Sequence, residues 1–155
     1  MARYLMHVRT PMPPDDAFAY MADLRNFAEW DPGVERVEQV HGDGPGPEAS
    51  FDVAVKVLGR SITMRYDTVT YEPPATIVAF AETALLTSRD TITVEPDGSG
   101  SIVTYDAVLK LKGVLGLADP LLGLSFEQIG DRAGAGLVAA LSGERLAERL
   151  AEPAS

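Results

Sequence analysis

Three strand-like stretches carry polar residues two positions apart: Arg65 with Asp67, Ser88 with Asp90, and Thr104 with Asp106. Successive strand side chains point to opposite faces, so each pair shares a face. If such a face turned inward, Arg65 could hold a carboxylate or enolate, and an aspartate with a raised pKa could move a proton. The same spacing also describes the solvated side of a one-sided sheet, where alternating charges belong. Tyr66, Tyr71 and Tyr105 offer something different, because a buried phenol fills volume and still gives a guest one hydrogen bond. Arg65, Asp67, Asp90 and Tyr66 form the candidate catalytic set.

Other chemistries lack their residues. There is no cysteine, so no thiolate or cysteine-metal chemistry is expected. His7 and His41, the only histidines, stand on a terminal strand and in a loop without placed partners, so no metal is expected. The Gly-x-Ser-x-Gly elbow, the phosphate-binding loop and the dinucleotide fingerprint are all missing, and no cofactor is expected. A formal net charge of -10, from 23 acidic and 13 basic residues, repels nucleic acid and anionic surfaces. The start MARYLMHVRTPMPP is short and polar for a secretory signal, and no apolar run reaches the length of a membrane span. The expectation is a cytoplasmic protein, monomeric or homodimeric, at 46% hydrophobic and 23% charged residues.

The elements that must position these residues follow from periodicity. Residues 3–9 read as a strand ended by Pro11, Pro13 and Pro14. A short helix follows, with Asp15 and Asp16 at its start and Phe18, Met21 and Leu24 on its buried side. Asn26 with Glu29 resembles a capping box opening a second helical turn, which ends at Trp30-Asp31-Pro32-Gly33. Further strands are expected over 34–40, 51–57, 62–72, 76–83, 87–95 and 101–111. Gly59-Arg60 and Asp97-Gly98-Ser99-Gly100 mark hairpin turns, and a change of phase near Asp67 suggests a bulge. Asp119-Pro120 opens a helix over 119–150, about 48 Å long if unbroken. A single domain over 1–150 with a flexible tail over 151–155 accounts for the whole.

Sequential hairpins give one antiparallel sheet of about seven strands, and only the last helix is large and apolar enough to cover it. That helix carries Gly123, Gly130, Gly134 and Gly136 where Ala would be about 1 kcal/mol better per position. Either the backbone packs closely there, or space is left for a guest. The second reading predicts a pocket lined by Phe51, Val53, Val55, Met64, Tyr66, Phe80, Tyr105, Phe126, Ile129, Ala133 and Leu137, with Trp30 as its wall or as an anchor for the short helices. Leu85, Leu86 and the segment 113–126, which holds one charge, could form an apolar mouth or a contact with a partner protein.

The stretches FAYMADLRNFAEWDPGVERVEQV (18–40), YEPPATIVAF (71–80) and LKGVLGLADPLLGLSFEQIGDRAGAGLVAAL (111–141), in this order of elements, resemble the START-like superfamily. Within it the chain is similar to the bacterial polyketide cyclase/dehydrase and lipid-transport group. The resemblance implies an α+β helix-grip fold, with a curved sheet and terminal helix enclosing an elongated apolar cavity. Members include lipid carriers, hormone binders, aromatase/cyclases and chaperone-activating modules, with no shared catalytic set. Binding of a lipophilic small molecule is the expected function, with cyclisation or dehydration of a poly-β-ketone, or a protein-interaction role, as alternatives.

Overall fold

Alternation of buried and exposed residues governs most of the chain, and one antiparallel sheet satisfies it. The computed structural model describes residues 1–57 and 59–146, without the side chains of 57 and 118–126. Its elements are β1 (Ala2–Thr10), α1 (Pro14–Ala22), α2 (Phe27–Trp30), β2 (Val34–His41), β3 (Ser50–Val57), β4 (Arg60–Glu72), β5 (Thr76–Glu82), β6 (Leu86–Asp97), β7 (Gly100–Leu111), α3 (Asp119–Ala140) and β8 (Glu144–Leu146). The strands are ordered β2-β3-β4-β5-β6-β7-β1-β8 in one sheet. Tyr4, Met6 and Val8 of β1, Ile92 and Val94 of β6, and Val103 and Tyr105 of β7 point inward, with α3 packed over β1 and α2. This is the helix-grip arrangement, built with eight strands.

Several local expectations are corrected. Helix α3 ends at Ala140 and does not run to residue 150. Ser142 takes a left-handed φ of 51°, and the Gly143 N–H donates to the Val138 carbonyl at 2.9 Å, closing the helix end. The chain then adds β8 beside β1, covering an edge that β1 would otherwise present unpaired. Asn26 makes no capping bond: its amide donates to the Tyr20 carbonyl at 2.9 Å. The cap belongs to Asp23, which accepts from the Arg25 N–H at 3.1 Å ahead of a short 3-10 turn. The bulge expected near Asp67, by contrast, is present between Thr68 and Thr70, where β4 slips against β5 and Val69 turns outward.

The glycines of α3 are explained by contact. A Cβ at Gly136 would collide with the Trp30 carbonyl oxygen, and one at Gly130 with the Tyr4 ring. At Gly134 it would come within 3.1 Å of both Met6 Sδ and Tyr4 Oη. Close backbone packing, rather than room for a guest, is therefore the reason for the missing side chains.

Gly136→Ala tests this seat. Ala gains about 1 kcal/mol of helix propensity, while overpacking against a backbone atom costs about 1–3 kcal/mol. A net loss of stability is expected in urea denaturation, with a lowered midpoint at unchanged slope. A variant more stable than wild type would contradict close packing at this point.

Candidate functional site

A cavity of about 110 Å³ lies between the inner faces of β3, β4, β6 and β7 and the turn joining α2 to β2. That is somewhat below the roughly 150 Å³ that accommodates benzene in an engineered protein core. Val53 and Val55 come from β3, Met64 from β4, Leu86 from β6, and Ala107 and Leu109 from β7. Phe27, Val34 and Ile129 close it from the helical side, and Lys56 stands exposed among the lining residues. The strands place these side chains because each alternation has its apolar phase inward.

Besides the exposed Lys56, five polar side chains interrupt these apolar walls: Asp31, Tyr66, Ser88, Asp90 and Tyr105. Asp90 is 5% exposed, and its Oδ2 accepts the Tyr105 hydroxyl at 2.6 Å. The Tyr66 hydroxyl donates to Ser88 Oγ at 2.7 Å, and Ser88 Oγ lies 3.5 Å from Asp90 Oδ1. Burial pushes the Asp90 carboxyl up from 3.8 to about 7, opposed by the Tyr105 hydrogen bond and assisted by the negative charge of Asp31. Burial also raises Asp31, whose Oδ1 accepts the Gly33 N–H at 2.8 Å. Both phenols are pushed up, first by burial and then by the charge of Asp90, so near neutrality they remain hydrogen-bond donors. The arrangement can bind a polar group, and it can hold or release a proton near pH 7.

The expected site residues divide sharply. Val53, Val55, Met64, Tyr66, Tyr105 and Ile129 line the cavity, and Asp90 joins them. Arg65 and Asp67 lie on the outer face instead. Arg65, with a side chain 61% exposed, forms a two-pronged pair with Asp52 at 2.8 and 3.2 Å. Asp67 accepts from the Ser50 hydroxyl at 2.6 Å. Asp106 also faces outward, paired with Arg3 at 2.9 Å. Phe80 is on the outer face as well, with the Arg89 guanidinium 4.9 Å from its ring centroid. Phe51, Ala133 and Leu137 are buried in the core but do not line the cavity, and the side chain of Phe126 lies outside the described residues.

Trp30 is an anchor and not a wall. It is 2% exposed and does not line the cavity; its ring lies 4.9 Å from Phe27 and 5.4 Å from Tyr105, while its carbonyl receives Gly136. Through those two rings it fixes residues that do line the cavity. Periodicity does not place Asp31, Gly33, Val34 and Phe27 there, although all four lie in or beside the Trp-Asp-Pro-Gly turn that the sequence marks. Leu85, Val114 and Leu117 are strongly exposed, and the Leu85 carbonyl accepts the Lys112 N–H at 2.8 Å, joining the two apolar segments. Among the described residues, no three His, Cys, Asp or Glu side chains gather as a metal site, and no helix is long and apolar enough to cross a membrane.

The raised carboxyl has a consequence for stability. The folded protein keeps a proton on Asp90 that the unfolded chain releases near its ordinary value. The neutral group's contribution is thus fully present below about pH 4 and is lost as pH rises through about 7. Asp90→Asn has nothing to titrate. Its stability relative to wild type should rise by about 2–3 kcal/mol between pH 5 and pH 8 in denaturant titrations. Parallel stability curves for the two proteins would contradict the raised value.

Comparison with known proteins bears on the fold and the family. The family model for polyketide cyclase / dehydrase and lipid transport matches residues 1–151. A START superfamily protein from Mycobacterium smegmatis superposes with a TM-score of 0.70 at 12% identity, over 92% of this chain and 98% of that one. A protein from Thermus thermophilus gives 0.65 at 17% identity, over 90% and 97%. The di-domain ARO/CYC StfQ of the steffimycin biosynthetic pathway gives 0.60 at 20% identity, over 86% of this chain and 50% of that one. None of the curated proteins matches the chain in sequence. With the family model spanning nearly its full length, the chain belongs to the polyketide cyclase / dehydrase and lipid transport family.

Proposed function

We propose that the protein binds a lipophilic small molecule, such as a lipid, a polyketide or an aromatic metabolite, in the cavity bounded by β3, β4, β6, β7 and the α2–β2 turn. The observation that carries this reading is the combination of apolar walls with a buried polar cluster around Asp90. Such a site desolvates a hydrocarbon body and orients one polar group, the usual division of labour in small-molecule pockets. Burying about 200 Å² of apolar guest at about 25 cal/mol per Å² gives about 5 kcal/mol before association costs. Useful affinity therefore needs either the polar cluster or a guest reaching past the cavity.

A second reading is cyclisation or dehydration of a poly-β-ketone, and Asp90 is the observation that favours it. A carboxyl near neutral pKa beside a phenol donor can take a proton from an acidic carbon while the phenol stabilises the enolate. The carrier reading is preferred because apolar walls and one polar cluster suffice for binding, whereas the reaction also requires an acidic carbon of the substrate to reach Asp90; Lys56, the one basic residue among the described lining, is solvent-exposed.

Ala107→Leu separates binding from fold. Ala107 lines the cavity and is 6% exposed, so added methyl groups occupy guest space. Titration with an apolar fluorescent dye should show at least about tenfold weaker binding, equal to about 1.4 kcal/mol, with the circular dichroism spectrum retained. Dye binding unchanged in this variant would contradict the placement of the guest. For the second reading, wild type should convert a poly-β-ketone to cyclised product, and Asp90→Asn should do so at least about 100-fold more slowly. Absence of product with wild type leaves binding alone.

A further inference from the structure

We propose that the cavity selects lipophilic guests whose polar group is a cationic amine, and rejects anionic guests such as fatty carboxylates. This rests on the binding reading above and adds the charge of the guest. Every described side chain facing Asp90 is either neutral or acidic. From its own strand β6 comes neutral Ser88, from β4 the phenol Tyr66, from β7 the phenol Tyr105, and from the α2–β2 turn the acidic Asp31. Asp106, behind them on β7, adds further negative charge and is paired outward with Arg3.

The described cations near this region are occupied or exposed. Arg65 pairs with Asp52 on the outer face, Arg89 lies over Phe80, and Lys56 is solvent-exposed. An anionic guest would therefore bring a third carboxylate towards Asp90 and Asp31 in a low-dielectric space, where like charges repel strongly. An ammonium guest meets the opposite field. An ionised carboxylate has about four acceptor positions, and among the described residues Asp90 receives a short hydrogen bond only from Tyr105, with Ser88 at 3.5 Å. An ammonium group, with three N–H donors, can use that remaining capacity through charge-assisted hydrogen bonds. The cavity, at about 110 Å³, is smaller than one that accommodates benzene, so a guest whose amine reaches Asp90 carries it on a short alkyl chain and leaves its ring at or beyond the cavity's open side.

Protons compete with such a cation. Burial pushes the Asp90 carboxyl up to about 7, so an amine that stays protonated must displace that proton at lower pH. Affinity then falls by up to about tenfold per pH unit below that value.

The test is isothermal titration calorimetry of the full chain with 4-phenylbutylamine, 4-phenylbutan-1-ol and 4-phenylbutyrate, which differ only in the polar end. At pH 8 the amine should bind at least about tenfold more tightly than the alcohol, and the carboxylate more weakly than either. By pH 5.5 the advantage of the amine over the alcohol should shrink by at least about tenfold. Asp90→Asn should erase that advantage at pH 8; if this variant does not fold, the pH series on wild type decides alone. A carboxylate that binds as tightly as the amine at pH 8, or an amine-to-alcohol ratio independent of pH, overturns the proposal. Binding of the alcohol and of an apolar dye without amine preference overturns charge selection while the binding reading stands. Failure of all three compounds and the dye to bind overturns both.

Discussion

The seat of α3 on β1 and α2 constrains everything else in this molecule. With Gly130 under the Tyr4 ring and Gly136 under the Trp30 carbonyl, the helix lies too close to β1 for any guest to fit between them. The curved sheet nevertheless has more inner surface than one helix can cover. The uncovered part lies over β3, β4, β6 and β7, where Val53, Val55, Met64 and Leu109 face empty volume. Close packing on one side and a cavity on the other are thus two results of a single geometry. Trp30 ties them together, since it holds the helix through its backbone and touches Phe27 and Tyr105 with its ring.

Inside that cavity the dominant energy is desolvation. Asp90 occupies an inward position of β6 between Ser88 and Ile92, where the alternation calls for an apolar side chain. Burying a carboxyl there favours its neutral form, and among the described residues only the Tyr105 hydroxyl makes a short bond to the charged form. A protein that needed nothing but a stable core would place Val or Ile at this position. The retained acid is a local departure from the pattern that otherwise builds the fold, and such departures concentrate at functional sites. Its neighbours Tyr66, Ser88 and Asp31 make the departure a cluster, not a single misfit.

Much of this was legible in the residues, and the misreadings have simple physical causes. Strand positions followed from alternation and hairpin turns, and the cavity walls Val53, Val55, Met64, Tyr66 and Tyr105 followed from the same rule. The face of Asp90 was legible too: it shares parity with Leu86, Ile92 and Val94, whereas Arg65 and Asp67 have the opposite parity to Met64 and Tyr66. Phe80 likewise has the opposite parity to Ile77, Ala79 and Ala81, and it lies outside under Arg89. What periodicity cannot supply is depth along a face. Phe51, Ala133 and Leu137 point inward but are covered by neighbours from distant segments. The Trp30-Asp31-Pro32-Gly33 turn contributes Asp31 and Gly33 through its three-dimensional path, which no local pattern encodes. The stop at Ala140 depends on β1 offering an edge for β8, again a non-local cause.

The raised carboxyl of Asp90 inside a largely apolar hollow is the central physical claim, and the cyclase and charge-selective readings draw on it directly. Its most direct measurement is a carbon-13 titration of the aspartate side-chain carboxyl resonances, with the Asp90 signal assigned by its loss in Asp90→Asn. A midpoint at about 7 is expected for that one signal. A midpoint near 4, in the ordinary aspartate range, would contradict it.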